Sequence, residues 1–105
     1  MQYLCLAYGE EKDWLALSER EQKALLAQDE VLRERGDLVA AVGNCTTLRV
    51  QKDEVVTSSE PFAPRRAPLA GFSLIEARDL DEAIELLAST PCAVANGAIE
   101  IWPIL

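Results

Sequence analysis

Residues 60–72, Glu-Pro-Phe-Ala-Pro-Arg-Arg-Ala-Pro-Leu-Ala-Gly-Phe, form the longest stretch of the chain without helical or strand periodicity, and they hold three of its five prolines. Proline fixes φ and has no backbone N–H, so a stretch punctuated in this way neither continues a helix nor sits inside a sheet. The loop therefore divides the chain. The residues before it read as a β-α-β arm with an added hairpin, and those after it as a shorter β-α-β arm. The 105 residues make a single domain, residues 1–105, able to bury one modest core. A domain of this size gains from an oligomer interface.

Residues 3–8 predict the first strand. Tyr3, Cys5 and Ala7 fall on one face and Leu4, Leu6 and Tyr8 on the other. Apolar residues on both faces mark a central strand that is covered on both sides. Gly9 ends it, and residues 10–17 connect it to a helix, with room for one helical turn around Trp14. Ser18 and Glu21 have the spacing of a capping box, in which each side chain satisfies a backbone N–H at the start of the helix. The helix runs to about residue 35, with Leu25 and Leu32 two turns apart and Ala24 and Val31 widening the stripe. Gly36 is its stop signal.

Residues 38–42, 46–50 and 55–57 come next as strands, with polar turns at 43–45 and 51–54. Beyond the proline-rich loop, residues 71–77 form another strand. Asp79 caps a second helix with an acidic first turn, whose stripe is Leu80, Ala83, Ile84 and Leu87. Pro91 ends that helix, and residues 98–102 form a last strand with Pro103 at the sheet's margin.

The element order is β-α-β-β-β-β-α-β. It predicts an α+β, ferredoxin-like fold, an antiparallel-type sheet with two helices on one face and an extra hairpin between the arms. Two helices cover only one face of such a sheet. Leu6, Phe72, Leu74 and Ile101 cannot all point toward them, so the sequence predicts a homodimer packed sheet against sheet.

Charge and composition narrow the function classes. The net charge of −8 opposes a nucleic-acid surface, whose affinity rests on Lys and Arg displacing counterions. It equally opposes a polybasic membrane patch. No stretch reaches the roughly 20 apolar residues of a membrane span, and the first residues lack the basic region and cleavage site of a signal peptide. Three widely spaced cysteines and no histidine fit a reducing cytoplasm. They leave no ligand set for a Cys/His zinc site and no base for a Ser-His or Cys-His nucleophile. Gly43 and Gly71 lack phosphate-loop spacing, so no nucleotide cofactor is expected.

Several segments together resemble the YCII-related family, in its DGPF-domain branch. They are residues 3–10 (Tyr-Leu-Cys-Leu-Ala-Tyr-Gly-Glu), 46–50 (Thr-Thr-Leu-Arg-Val), 60–63 (Glu-Pro-Phe-Ala), 70–77 (Ala-Gly-Phe-Ser-Leu-Ile-Glu-Ala), 79–83 (Asp-Leu-Asp-Glu-Ala) and 97–103 (Gly-Ala-Ile-Glu-Ile-Trp-Pro). Their order and spacing span essentially the whole chain. The resemblance implies a dimeric α/β barrel of ferredoxin-like fold. For some members it also implies an enzyme built on a His-Asp pair, and for some DGPF members a link to sigma factors. This chain departs from that pattern. It has no histidine, Thr90 stands where the family's aspartate precedes proline, and Ser59-Glu60 stands for the Asp-Gly of the signature before Pro61-Phe62.

The candidate site residues are Tyr8, Arg49, Glu60 and Phe62. Glu60 beside Phe62 would set a carboxylate at the mouth of a pocket with an aromatic wall, and burial would raise its pKa and suit it to proton transfer. As a plain loop acid it would simply be solvated. The planar fork of Arg49, mid-strand, suits an anionic group of a small ligand, or an ion pair with Glu76 or Glu100 across the sheet or the dimer interface. Tyr8 and Trp14 would line a cleft or belong to the core. Arg65 and Arg66 would form an anion-binding lid or an exposed pair. Nothing near Cys5, Cys45 or Cys92 in sequence lowers a thiol pKa. The chain thus reads as a cytoplasmic, dimeric small-molecule-binding domain that holds an anionic ligand near Arg49 and the 60–72 loop. The alternatives are a weak enzyme with Glu60 as its proton-transfer group, and a protein-interaction module linked to transcription initiation.

Overall fold

A computed structural model describes residues 1–63 and 65–105. One proline of the dividing loop, Pro64, lies outside them. The elements run β1 (Gln2–Tyr8), α1 (Glu11–Leu15), α2 (Glu19–Glu34), β2 (Leu38–Ala41), β3 (Thr47–Gln51), β4 (Glu54–Ser58), β5 (Leu69–Glu76), α3 (Leu80–Leu87), α4 (Pro91–Val94) and β6 (Ala98–Pro103). Four strands form one sheet in the order β2-β5-β1-β6, every neighbouring pair antiparallel. Each β-α-β arm therefore leaves a gap that a strand of the other arm fills, which is the ferredoxin-like α+β arrangement.

The hairpin between the arms does not join this sheet. β3 and β4 pair only with each other, as a separate two-stranded sheet. Their turn residues Lys52 and Asp53 both have positive φ, 50° and 66°. That conformation matches the twist of a tight two-residue hairpin turn, although neither position carries the glycine that would announce it.

α2 begins with the capping box. Ser18 Oγ accepts from the Glu21 N–H at 3.1 Å, and Glu21 Oε1 accepts from the Ser18 N–H at 3.1 Å. At its other end Gly36 takes φ 97°. Its N–H donates to the Arg33 carbonyl and the Asp37 N–H to the Leu32 carbonyl, a closure that glycine permits without a Cβ clash. Ser18→Ala is expected to cost about 1 kcal/mol, lowering Tm by roughly 4–8 °C for a domain of this size. Thermal unfolding followed by circular dichroism checks it, and an unchanged Tm would mean that packing alone holds the helix start. The hydrogen bonds to Ser18, its backbone N–H first, lower the Glu21 pKa. This contribution is therefore present above the unfolded glutamate pKa and is lost as pH falls through the lowered folded value.

Helix burial is narrower than the sequence stripes predict. Leu25 and Leu32 are buried on α2, but Ala24 and Val31 are exposed. On α3, Ala83 and Leu87 are buried while Leu80 and Ile84 stay exposed. Both helices bury a narrow line of residues, not a broad face. Pro91 also does more than end a helix. It occupies the first turn of α4, where its missing N–H costs nothing.

The core lies between the helices and one face of the sheet. Tyr3, Cys5, Leu32, Ile75, Ala77, Ala83 and Leu87 make its buried cluster, with Val39, Ile99 and Ile101 packed against it. Ile101 pairs with Cys5, so it belongs to the helix side, unlike Leu6, Phe72 and Leu74. By register the opposite face carries Leu4 and Leu6 of β1, Leu38 and Ala40 of β2, Phe72 and Leu74 of β5, and Glu100 and Trp102 of β6. Among the described residues no helix covers this open face. Leu38 is 52 % exposed and Trp102 55 %.

Candidate functional site

A cleft opens at the end of the sheet where β1 stops and the dividing loop returns. Its floor is Leu6 and Tyr8, on the open-face side of β1. The loop is tied there by the Gly9 N–H, which donates to the Pro68 carbonyl at 3.0 Å. The pairing of β1 with β5 slips at this end, where Ala7 faces Gly71 but Tyr8 faces Leu69. Ala70 is thus bulged, and a bulge re-aims the strand end and its side chains. The 42–47 segment and the 59–63 segment close the other sides. The cleft holds about 1310 Å³, above the roughly 300–1,000 Å³ of most small-molecule pockets.

Tyr8 is buried. Its phenol donates to Glu100 Oε1 at 2.9 Å, and the Arg65 guanidinium carbon lies 5.0 Å from the ring centroid. Burial pushes the phenol pKa up, and the bond to Glu100 adds to this, with Arg65 pulling the other way. The phenol therefore keeps its proton and serves as a donor and a wall, not as a base. Arg65 and Arg66 both line the cleft, and neither is ion-paired among the described residues. Glu10 and Glu60 are the acids of the same lining.

Of the residues singled out by sequence, Tyr8, Glu60 and Phe62 line this cleft. Arg49 stands behind it, in β3. Its guanidinium carbon lies 5.4 Å from the Phe62 ring centroid, within cation–π range. Within the chain it pairs with neither Glu76, which holds the N-terminal ammonium at 2.7 Å, nor Glu100, which accepts the Tyr8 hydrogen bond. Glu60 is exposed. Its backbone is fixed by its N–H to Ser58 Oγ at 3.0 Å and by its carbonyl, which accepts from Thr47 Oγ1. Trp14 sits on α1 and is not part of the lining.

The positive charge in the cleft is thus supplied by Arg65 and Arg66, which the sequence places in the loop without showing where the loop returns. What brings Arg65 onto Tyr8 is the pairing of β1 with β5, a contact between segments far apart in the chain. Burial pushes the thiol pKa values of Cys5 and Cys92 up, which makes both poor nucleophiles. Cys45 is exposed at the cleft rim.

No helix of the described residues is long and apolar enough to cross a membrane. Comparison with curated proteins gives no match. The sequence model of the YCII-related domain matches residues 1–105, so the chain belongs to the YCII-related family.

Proposed function

We propose that the chain is a small-molecule-binding domain that takes an anionic ligand in the cleft between the end of β1 and the 60–72 loop. The observation that carries this is the arginine pair Arg65 and Arg66, not ion-paired among the described residues, lining a concave site with Arg65 over the Tyr8 ring. A planar guanidinium over an aromatic face retains in-plane N–H donors for a carboxylate or phosphate. Phe62 and Leu6 supply apolar wall, Tyr8 an aromatic one, and Arg49 braces Phe62 from behind. Exposure of Glu60 favours binding over proton transfer, since proton-transfer sites work by excluding water.

The domain works as a homodimer in this reading. The open face is four strands wide and largely apolar, with Glu100 and, at its end, Glu76 as its charged residues. Such a face in water is a docking surface, and a self-complementary face on a small chain is most simply hidden by a second copy across a two-fold axis.

The test is a thermal-shift series with small mono- and dicarboxylates and phosphate esters, on the wild type and on Arg65→Ala and Arg66→Ala. A ligand that binds only the folded state stabilises it by mass action, by about 2.7 kcal/mol at a hundred times its Kd. The expected result is a concentration-dependent rise in Tm for one anion class, lost in the folded Arg65→Ala variant. A flat response to every anion at millimolar concentration would remove the reading.

A further inference from the structure

Among the described residues the β3–β4 hairpin is tied to the rest of its chain mainly at its foot, by the Thr47–Glu60 hydrogen bond and the Arg49–Phe62 contact. Its strands pack chiefly on each other, and every residue of β3 and β4 except Thr47 is exposed. Register puts Leu48 opposite Thr57 and Val50 opposite Val55, so these four side chains share one face. The exposures of Leu48, Val50 and Val55 are 62, 65 and 69 %. The other face turns Arg49 toward Phe62, leaving the apolar face without cover. A lone two-stranded hairpin is marginal in water. This one also holds two non-glycine residues in the left-handed region at its turn, which adds cost. The hairpin makes the molecule long. Its radius of gyration is 15.5 Å, against about 13 Å for a compact chain of this length.

Where the hairpin starts is as informative as what it exposes. Thr47, at the foot of β3, and Ser59, just beyond β4, both line the cleft, and Thr47 Oγ1 donates to the Glu60 carbonyl. The arm thus rises from the cleft rim, at the end of the sheet whose open face lacks a cover. Four strands about 4.8 Å apart and some six residues long at about 3.3 Å each give that face a projected footprint near 400 Å², modest beside the roughly 800 Å² of accessible surface that each partner gives to a standard interface. The apolar face of the arm is the nearest further apolar surface.

We propose that the β3–β4 hairpin is an exchange arm that lays Leu48, Val50 and Val55 on a second copy of this chain, so that each protomer's arm walls the other's cleft. The inference rests on the dimer reading above and deepens it. A cleft wider than an ordinary pocket then becomes a closed one only in the dimer, and ligand binding and association are linked. The occupant is a second copy because the arm is continuous with an uncovered sheet face on the same molecule, and two-fold symmetry covers both surfaces at once.

The experiment uses the full chain. Light scattering on a sizing column, run from micromolar to hundreds of micromolar, compares the wild type with Val50→Lys, Val55→Lys and a control, Leu15→Lys. Leu15 is 65 % exposed and lies on α1, outside the strands of both surfaces and outside the cleft lining. The wild type is expected to be a dimer. Each arm variant should raise the dimer Kd at least roughly 100-fold, because every dimer would bury two unpaired ammonium groups. The control should match the wild type. A dimeric wild type whose arm variants associate equally well overturns the arm and leaves the dimer standing. A wild type that is monomeric throughout, or larger than a dimer, overturns both, and neither result bears on anion binding by Arg65. Trypsin cleavage after Arg49 in the wild type gives a readout that needs no variant. It should slow as protein concentration crosses the dimer range, and a rate independent of concentration overturns the proposal.

Discussion

Gly97→Ala is expected to destabilise the protein by more than about 4 kcal/mol, the range reserved for steric or buried-charge catastrophes. Gly97 lies between α4 and β6, and a Cβ there would overlap the Tyr8 carbonyl oxygen and stand 2.7 Å from the Cys92 carbonyl oxygen. Both neighbours are backbone, so no rotamer change relieves the clash. The chain must instead pull the start of β6 away from the end of β1, breaking the Tyr8–Ala98 pairing. Since total stability of such a domain is about 5–15 kcal/mol, much of the population should be unfolded at 37 °C. The same displacement moves Tyr8, the floor of the cleft, so any folded remainder should lose its response to anions. Gly43→Ala is the matched control, with nothing within 4 Å of its added Cβ, and is expected within about 0.5 kcal/mol of wild type. Urea unfolding of the pair checks this. Equal midpoints would mean that β1 and β6 do not meet as described.

The Gly97 clash, set by segments distant in the chain, marks the divide between what is legible in sequence and what is not. Local signals survive well. The capping box at Ser18, the stop at Gly36, the cap at Asp79 and the dividing loop each depend on neighbours within a few residues, and each is found where its chemistry requires. Element order then leads to the ferredoxin-like α+β arrangement, and the segments that resemble the YCII-related family lead to the family that the match over residues 1–105 shows. The misses are tertiary. The hairpin reads as further strands, and nothing in its alternation says that it stands clear of the main sheet. Ile101 reads as surplus to the helix side, because which way β6 faces depends on its register with Cys5. Within the cleft, Tyr8, Glu60 and Phe62 are legible as polar and aromatic residues at element ends. Arg65 over Tyr8 is not, because it depends on where a loop returns. Arg49 is conspicuous as a charge between apolar neighbours; it lies on an exposed strand, against the Phe62 ring and outside the cleft lining.

Leu32→Ala is expected to cost about 2–5 kcal/mol, and the contrast with Leu38→Ala separates the two apolar faces of the sheet. Leu32 is 1 % exposed, at the centre of the cluster beneath the helices. Removing it leaves a cavity lined by groups that the sheet and helices hold in place, so the loss belongs to the protomer. Leu38, across the sheet on the open face, is 52 % exposed and leaves no cavity in a single chain. In a lone protomer its truncation should cost well under about 1 kcal/mol. If the open face is an interface, that truncation should act through association. Urea midpoints measured at two protein concentrations well apart distinguish the cases. Leu32→Ala should lower the midpoint by a similar amount at both. Leu38→Ala should leave it near wild type at the lower concentration and lower it at the higher, where a dimer adds concentration-dependent stability. A Leu38→Ala loss equal at both concentrations would place that side chain in the protomer's own core. A Leu32→Ala loss that appears only on concentration would place the core on the wrong side of the sheet.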